Sequence, residues 1–336
     1  MKIAVDAMGG DHAPKEIVAG ALEAVEKNIA DIILVGRKEK IESELENLTT
    51  KIPENLTICH APEVIEMGES PATAVRRKKE NSILVAHKLV KDGKADGVVS
   101  AGSTGAQMTA ALMALGRIPS ILRPTIAALL PTLQGPKILL DVGANVNCKP
   151  ENLVQFAYMG NIYARKILGY DTPRIGLLNI GTEEKKGNAL TQATYPLLKE
   201  SSLNFVGNVE PRELPEGNIE VAVCDGFVGN CLLKFGEGLV NSFLAMIKEQ
   251  VHKSLLTKTA AIALKPTFKK LKKELDYEEY GGAPLLGIQG VSIICHGSSK
   301  AFAITNAIKV AVQCVENDLV GTIQSVTEHE KGRDIL

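Results

Sequence analysis

Tryptophan is absent from this 336-residue chain, and aromatic residues make up only 4% of it. Platforms for stacking nucleic-acid bases are therefore not expected. Charge of one sign is lacking too. The net charge is −1, which excludes the broad basic field of a nucleic-acid-binding protein. No stretch of about 18 apolar residues exists, so no membrane-spanning helix is predicted. Met1 leads straight into the strand-like KIAV with no leader pattern, so a cytoplasmic protein is expected. The six cysteines (Cys59, Cys148, Cys224, Cys231, Cys295, Cys314) form no CxxC pair. That spacing supports no structural zinc site and fits reduced, mostly buried thiols. Low-complexity segments, repeats of 20–50 residues and obvious linkers are also missing. No GxGxxG follows a strand with an acidic residue about 20 positions on, which argues against a nicotinamide-dependent dehydrogenase. Neither a metal nor a cofactor is called for.

What remains is a chain 45% hydrophobic and 23% charged, long enough for one large core. We read residues 1–336 as a single domain. Its organising stretch is ADGVVSAGSTGAQMTAALMAL at 95–115. Val98 and Val99 end a short strand, 100–105 is a turn-rich loop, and Ala106 to Leu115 favours a helix. A strand feeding a helix through glycines leaves free N–H groups and a positive dipole end. Gly102, Ser103, Thr104 and Gly105 thus form a candidate phosphate or carboxylate cradle. An ordinary tight connection is the alternative reading. Similar loops follow other strands: 6–14, 141–145, 179–182, 225–230 and 296–299. In a parallel sheet such strand ends share one edge, where ligands bind. Six of them are expected to converge there.

Taken in order, strands alternate with helices, which predicts a three-layer α/β/α sandwich with a mainly parallel sheet. Pro71 is expected to open one long helix to about Val90, containing Arg76 and Arg77. Strands Ile126–Leu130 and Lys137–Leu140 are expected to pair. Residues 238 to about 264 read as one helix, interrupted by Pro266 and followed by a second. The last helix is expected from Ser299 to about Leu319, and 280–284 reads as a loop.

Eight motifs, taken together, resemble the phosphate acyltransferase family, the acyl-carrier-protein-to-phosphate enzymes known as PlsX. They are DAMGGDHAP (6–14), AVRRKKENS (74–82), SAGSTGA (100–106), LLDVGANVNCKPENLVQFA (139–157), GLLNIGTEEKKGN (176–188), CDGFVGN (224–230), YGGAPLLG (280–287) and HGSS (296–299). Relatives usually carry Asn at Ser103 and can carry Ala at Cys148. The resemblance implies an isocitrate dehydrogenase- or phosphotransacetylase-like fold and a homodimer. It also implies transfer of a fatty acyl group from an acyl carrier protein thioester to inorganic phosphate. The acyl phosphate would then feed phospholipid synthesis through a membrane glycerol-3-phosphate acyltransferase. Phosphotransacetylase-type transfer from acyl-CoA, a dehydrogenase on the same fold and a non-catalytic membrane adaptor are the alternatives.

For such a reaction phosphate is already anionic, so positioning and oxyanion stabilisation can supply most of the rate. Lys186 and Arg76 or Arg77 are candidate counter-charges. Asn145, Asn188 and Asn230 are candidate donors to carbonyl or phosphate. Asp11 and Asp225 could take a proton or orient a lysine, and His12 and His296 could protonate the leaving thiolate. Lys186, Asp225, His296 and Asn145 are the leading candidates. Loop-capping aspartates and structural histidines are the competing reading.

Residues 253–273 hold seven lysines and no acidic residue. Leucines and Phe268 are interleaved with them, suggesting a helical hairpin at about 238–277 with an apolar tip and a basic skirt. Leu256, Lys258, Lys265, Phe268 and Lys269 are the expected contacts to an anionic membrane surface or to the carrier protein. Packing against a dimer partner is the alternative.

Overall fold

The computed structural model describes residues 1–66, 68–253, 255–275 and 277–331. The first half runs β1 (Lys2–Asp6), α1 (Lys15–Glu26), β2 (Asp31–Gly36), α2 (Lys38–Leu48), β3 (Leu56–His60), α3 (Pro71–Arg77), α4 (Ser82–Lys91), β4 (Gly97–Ser100) and α5 (Thr104–Ala114). Then come β5 (Thr125–Leu130), β6 (Lys137–Leu140), α6 (Pro150–Lys166), β7 (Ile175–Leu178), α7 (Ala189–Glu200), β8 (Phe205–Val209) and β9 (Val221–Val223). Two long helices follow, α8 (Gly226–His252) and α9 (Leu255–Leu275). The chain closes with β10 (Ala283–Leu286), β11 (Val291–Ile294), α10 (Ala301–Glu316) and α11 (Leu319–Lys331).

The eleven strands of the described residues join one sheet, in the order β3-β2-β1-β4-β11-β10-β5-β6-β9-β7-β8. Its strands are apolar on both faces because helices cover both. On β1, Ile3 and Val5 enter the core shared with α1 and α10, while Ala4 faces α4. The sandwich and the mainly parallel sheet are as the sequence predicts, and β5 and β6 pair antiparallel, Ala127 opposite Leu140.

The single shared edge is not. β10 runs antiparallel to both β11 and β5, and β6 runs antiparallel to β5. Strands β6, β9, β7 and β8 therefore point opposite to β1, β4 and β11. The loops form two sets rather than one row. A twist of about 20–25° per strand, over the six steps from β4 to β7, turns the strand axes by about 120–150°. That rotation offsets much of the reversal and lets both sets approach one face.

Five local expectations also change. The helix from Pro71 breaks after Arg77, because Asn81 caps a new one, accepting from the Leu84 N–H at 2.8 Å. Helix α8 begins at Gly226, not near 238, because Asp225 caps it. Helix α8 ends at His252 and α9 starts at Leu255, and Pro266 sits inside α9, where an exposed face tolerates the missing N–H. Residues 283–286 are strand β10, and α10 and α11 are separate helices divided at Asn317 and Asp318.

Candidate active site

The first loop set gathers around Asp6, fully buried at the end of β1. Its carboxylate accepts from Ser100 Oγ at 2.7 Å and from the Met8 N–H at 3.1 Å. Burial raises the Asp6 pKa, and these hydrogen bonds act the other way. Ser100 Oγ in turn accepts from the Gly102 N–H at 3.0 Å. The Asp11 N–H donates to the Gly297 carbonyl at 2.8 Å, joining loops 6–14 and 296–299. At the start of α5, Ser103 makes no side-chain cap. The first-turn N–H groups from Thr104 onward, like those of any helix, lack an intrahelical acceptor.

The second set gathers around Asp141, equally buried. It accepts from the N–H groups of Ile126, Ala144 and Asn145 at 3.1, 3.2 and 2.6 Å. Its pKa too is raised by burial. Asn145 is buried, and its amide donates to Pro124 O at 2.7 Å and Asp141 Oδ2 at 2.9 Å. Both amide hydrogens are engaged, so Asn145 is placed to brace the loop. Gly229 lies where any Cβ would collide with the Asp141 carbonyl, so α8 crosses β6 closely at that point.

Loop 183–188 is held by side-chain amides from three directions. Asn179 donates to Lys186 O (3.1 Å), Asn208 to Glu183 O (2.8 Å), and Gln192 to the carbonyls of Lys185 and Gly187 (2.9 and 3.1 Å). The ammonium of Lys186 stands 3.7 Å from Glu183 and is half-exposed. Asn188 caps α7, accepting from the Thr191 N–H at 3.0 Å, and Asp225 caps α8, accepting from Phe227 and Val228 N–H at 3.0 Å each. Asn188 and Asp225 line one cavity of about 340 Å³.

The two sets meet in a groove of about 170 Å³ on the sheet face beneath α8. Thr104 and His296 come from the first set, Val142 and Asn230 from the second. Ile126 and Ala128 of β5, Ala283 of β10 and Ile294 of β11 form its apolar floor, and Leu233, Lys234 and Glu237 its wall. His296 Nδ1 lies 2.8 Å from Ser298 Oγ. Asp11 and His12 are exposed on the first loop. Arg76 and Arg77 are exposed at the end of α3, outside this groove, with Arg77 3.1 Å from Glu69. Of the hairpin candidates, Lys265 and Lys269 are exposed and Phe268 is half-buried, whereas the side chains of Leu256 and Lys258 lie outside the described residues. Lys234, Glu237 and Ala128 lie outside the loops that the sequence singles out, whereas Tyr280 and Ala283 fall in 280–284, which reads as a plain loop. The signal for the floor was the run of small residues at 281–283 and at 127–128.

No group of metal-ligating side chains is present among the described residues. None of their helices is long and apolar enough to cross a membrane.

The fold is the α/β fold of solved phosphotransacetylases. A phosphotransacetylase from Streptococcus pyogenes superposes with a TM-score of 0.63 over 94% of each chain, at 20% identity. In sequence, residues 1–321 match the family model described as fatty acid synthesis protein. The "Phosphate acyltransferase" of Moorella thermoacetica is 59% identical over 95% of this chain and 94% of its own length. That of Desulfitobacterium hafniense strain Y51 is 58% identical over 96% of both. The chain belongs to the phosphate acyltransferase family of fatty acid synthesis proteins.

Proposed function

We propose that the chain transfers a fatty acyl group from an acyl carrier protein thioester to inorganic phosphate, yielding acyl phosphate for phospholipid synthesis. The observation that carries this reading is the groove just described. It has an apolar floor for hydrocarbon and, beside it, two loop sets able to hold an anion and a carbonyl. Phosphate binds at the uncapped start of α5, and Lys186, on a loop outside the lining of the groove, is assigned to it as counter-charge. Asn230 donates to the developing oxyanion. A phosphate oxygen attacks the thioester carbonyl, the C–S bond breaks, and His296 protonates the departing thiolate.

Direct attack, without an acyl-enzyme, agrees with the state of the nearby thiols. Burial, with Asp141 and Asp225 adding to it, pushes Cys148 up to about 11, and Cys224 stands well above its ordinary value. Neither is a thiolate at neutral pH. The test is to incubate the protein with acyl carrier protein or acyl-CoA thioesters, with and without phosphate, and to look for acyl phosphate. Phosphate-independent thiol release, or an acyl group trapped on the protein, would overturn the scheme. In the same assay Lys186→Ala is expected to weaken phosphate use by about 2–4 kcal/mol of transition-state stabilisation with little change in thermal stability. Turnover equal to the parent would remove Lys186 from the site.

The hairpin of α8 and α9 belongs to this proposal as a peripheral membrane contact of a homodimer, near the downstream membrane acyltransferase. Support comes from its surface: Phe243, Met246 and Ile262 are 58%, 54% and 71% exposed beside the basic run. Apolar side chains would enter the interface while lysines meet anionic headgroups. Binding to anionic vesicles is expected, weakened by salt. Replacing Ile262 and Leu264 by Glu is expected to abolish co-sedimentation while acyl phosphate formation in solution persists. Unchanged sedimentation would sink the membrane contact, and a shift to monomer would favour dimer packing.

A further inference from the structure

We infer that Ala128 and Ala283 set the acyl-chain preference of the site, as the narrow, small-residue floor of the groove. This rests on the acyl transfer proposed above and goes beyond it to specificity. Ala283 of β10 pairs with Ile294 of β11, and Leu285 pairs with Ile126 of β5. Continuing that register places Ala283 beside Ala128. Across three strands, one row of the sheet face therefore reads Ala128, Ala283, Ile294. Its two methyl-sized members lie side by side, while Ile126, Ile294 and, from α8, Leu233 stand taller around them. The result is a trough in a face that is otherwise closely packed: Ile126, Ala128 and Ile294 are all buried, in contact with one apolar cluster.

The trough has a direction. Thr104, Asn230 and His296 bring polar groups to the groove, and no charged side chain lies on the floor between the strands. Lys234 and Glu237 reach it only from the α8 wall, and Lys234 is exposed. A hydrocarbon asks for no hydrogen bonds, so the floor suits the methylenes that follow the carbonyl, with the thioester held at the polar groups. Filling the trough with a larger side chain removes room for methylenes without touching a polar group. Such pockets discriminate by the space for each methylene, which is worth about 10- to 200-fold in kcat/KM.

The experiment measures kcat/KM for short-, medium- and long-chain acyl thioesters with the parent, Ala128→Leu and Ala283→Leu. The expected result is a fall of about tenfold or more in the long-to-short ratio for both variants. Thermal unfolding accompanies each. Should Ala128→Leu fail to fold, Ala283→Leu, only partly buried, carries the test, together with Leu233→Trp on the half-exposed wall. A long-to-short ratio equal to that of the parent, with all donors falling together or none, overturns the inference. A parent that makes no acyl phosphate from any donor overturns instead the reading beneath it.

Discussion

Asn230→Ala is expected to lower kcat/KM for acyl phosphate formation by about 10²- to 10³-fold, the usual cost of one oxyanion donor. Asn230 sits one turn into α8, where both loop sets face it. It shares the groove with Thr104 and His296, and Gly143 of the second set backs onto it, since a Cβ there would come within 3.5 Å of its Cγ. Its amide makes no hydrogen bond among the described residues, unlike those of Asn145, Asn179 and Asn208. A polar side chain held at a cavity without an internal partner is available to a ligand. Because Asn230 is only partly buried, its loss should change stability by no more than about 1 kcal/mol. Kinetics and urea unfolding on the same preparation separate the two effects. A loss of less than about threefold in kcat/KM would show that Asn230 does not face the reacting carbonyl. A loss of activity that tracks unfolding would assign it to α8 instead.

Much of this arrangement was legible because its signals are local. The strands of the first half, the glycine loops after them and the helix after 103 follow from periodicity and turn chemistry within a few residues of each motif. The reversal of the sheet was not. It depends on β10, four residues flanked by Gly282 and Gly287 and containing Pro284, a composition that reads as loop. Only its long-range pairing with β5 and β11 makes it a strand. The same blindness hid the groove floor, since nothing near Ala128 in sequence announces that Ala283 lies beside it. Asn145 shows the limit for site residues. A buried asparagine bracing Asp141 and an exposed one reaching for substrate have the same local sequence signature. Pro266 reads as a break, yet α8 already ends at His252, fourteen residues earlier. A proline costs a helix one hydrogen bond, whereas the turn is fixed by α8 and α9 packing on each other.

Acidification from pH 7 to pH 5 is expected to cost the parent about 2 kcal/mol more stability than the variant His87→Gln. His87 is completely buried between α4 and the sheet. Its Nδ1 faces the Ile83 carbonyl at 2.8 Å, and its Nε2 lies 3.0 Å from Ser292 Oγ. Gln107 of α5 donates to the same Ser292 Oγ at 2.9 Å and to Ile293 O at 2.9 Å. The imidazole thus sits in a chain of hydrogen bonds that ties α4 and α5 to β11. Burial lowers the His87 pKa from 6.5 to about 4, with the bond to Ile83 acting weakly the other way. Between those values the unfolded chain binds the proton and the native protein does not. Stability therefore rises with pH through this window, and is lost as pH falls. Complete passage through it corresponds to about 3 kcal/mol, of which about 2 is lost by pH 5. Asp6 and Asp141 act in the opposite sense, because burial raises their pKa values and the native state then holds protons more tightly than the unfolded chain. They are common to parent and variant, so the difference between the two isolates His87. Urea unfolding at pH 7 and pH 5 measures it. Equal losses in both proteins would mean that His87 takes up its proton in the native state near its ordinary pKa, and that α5 is anchored without a neutral imidazole.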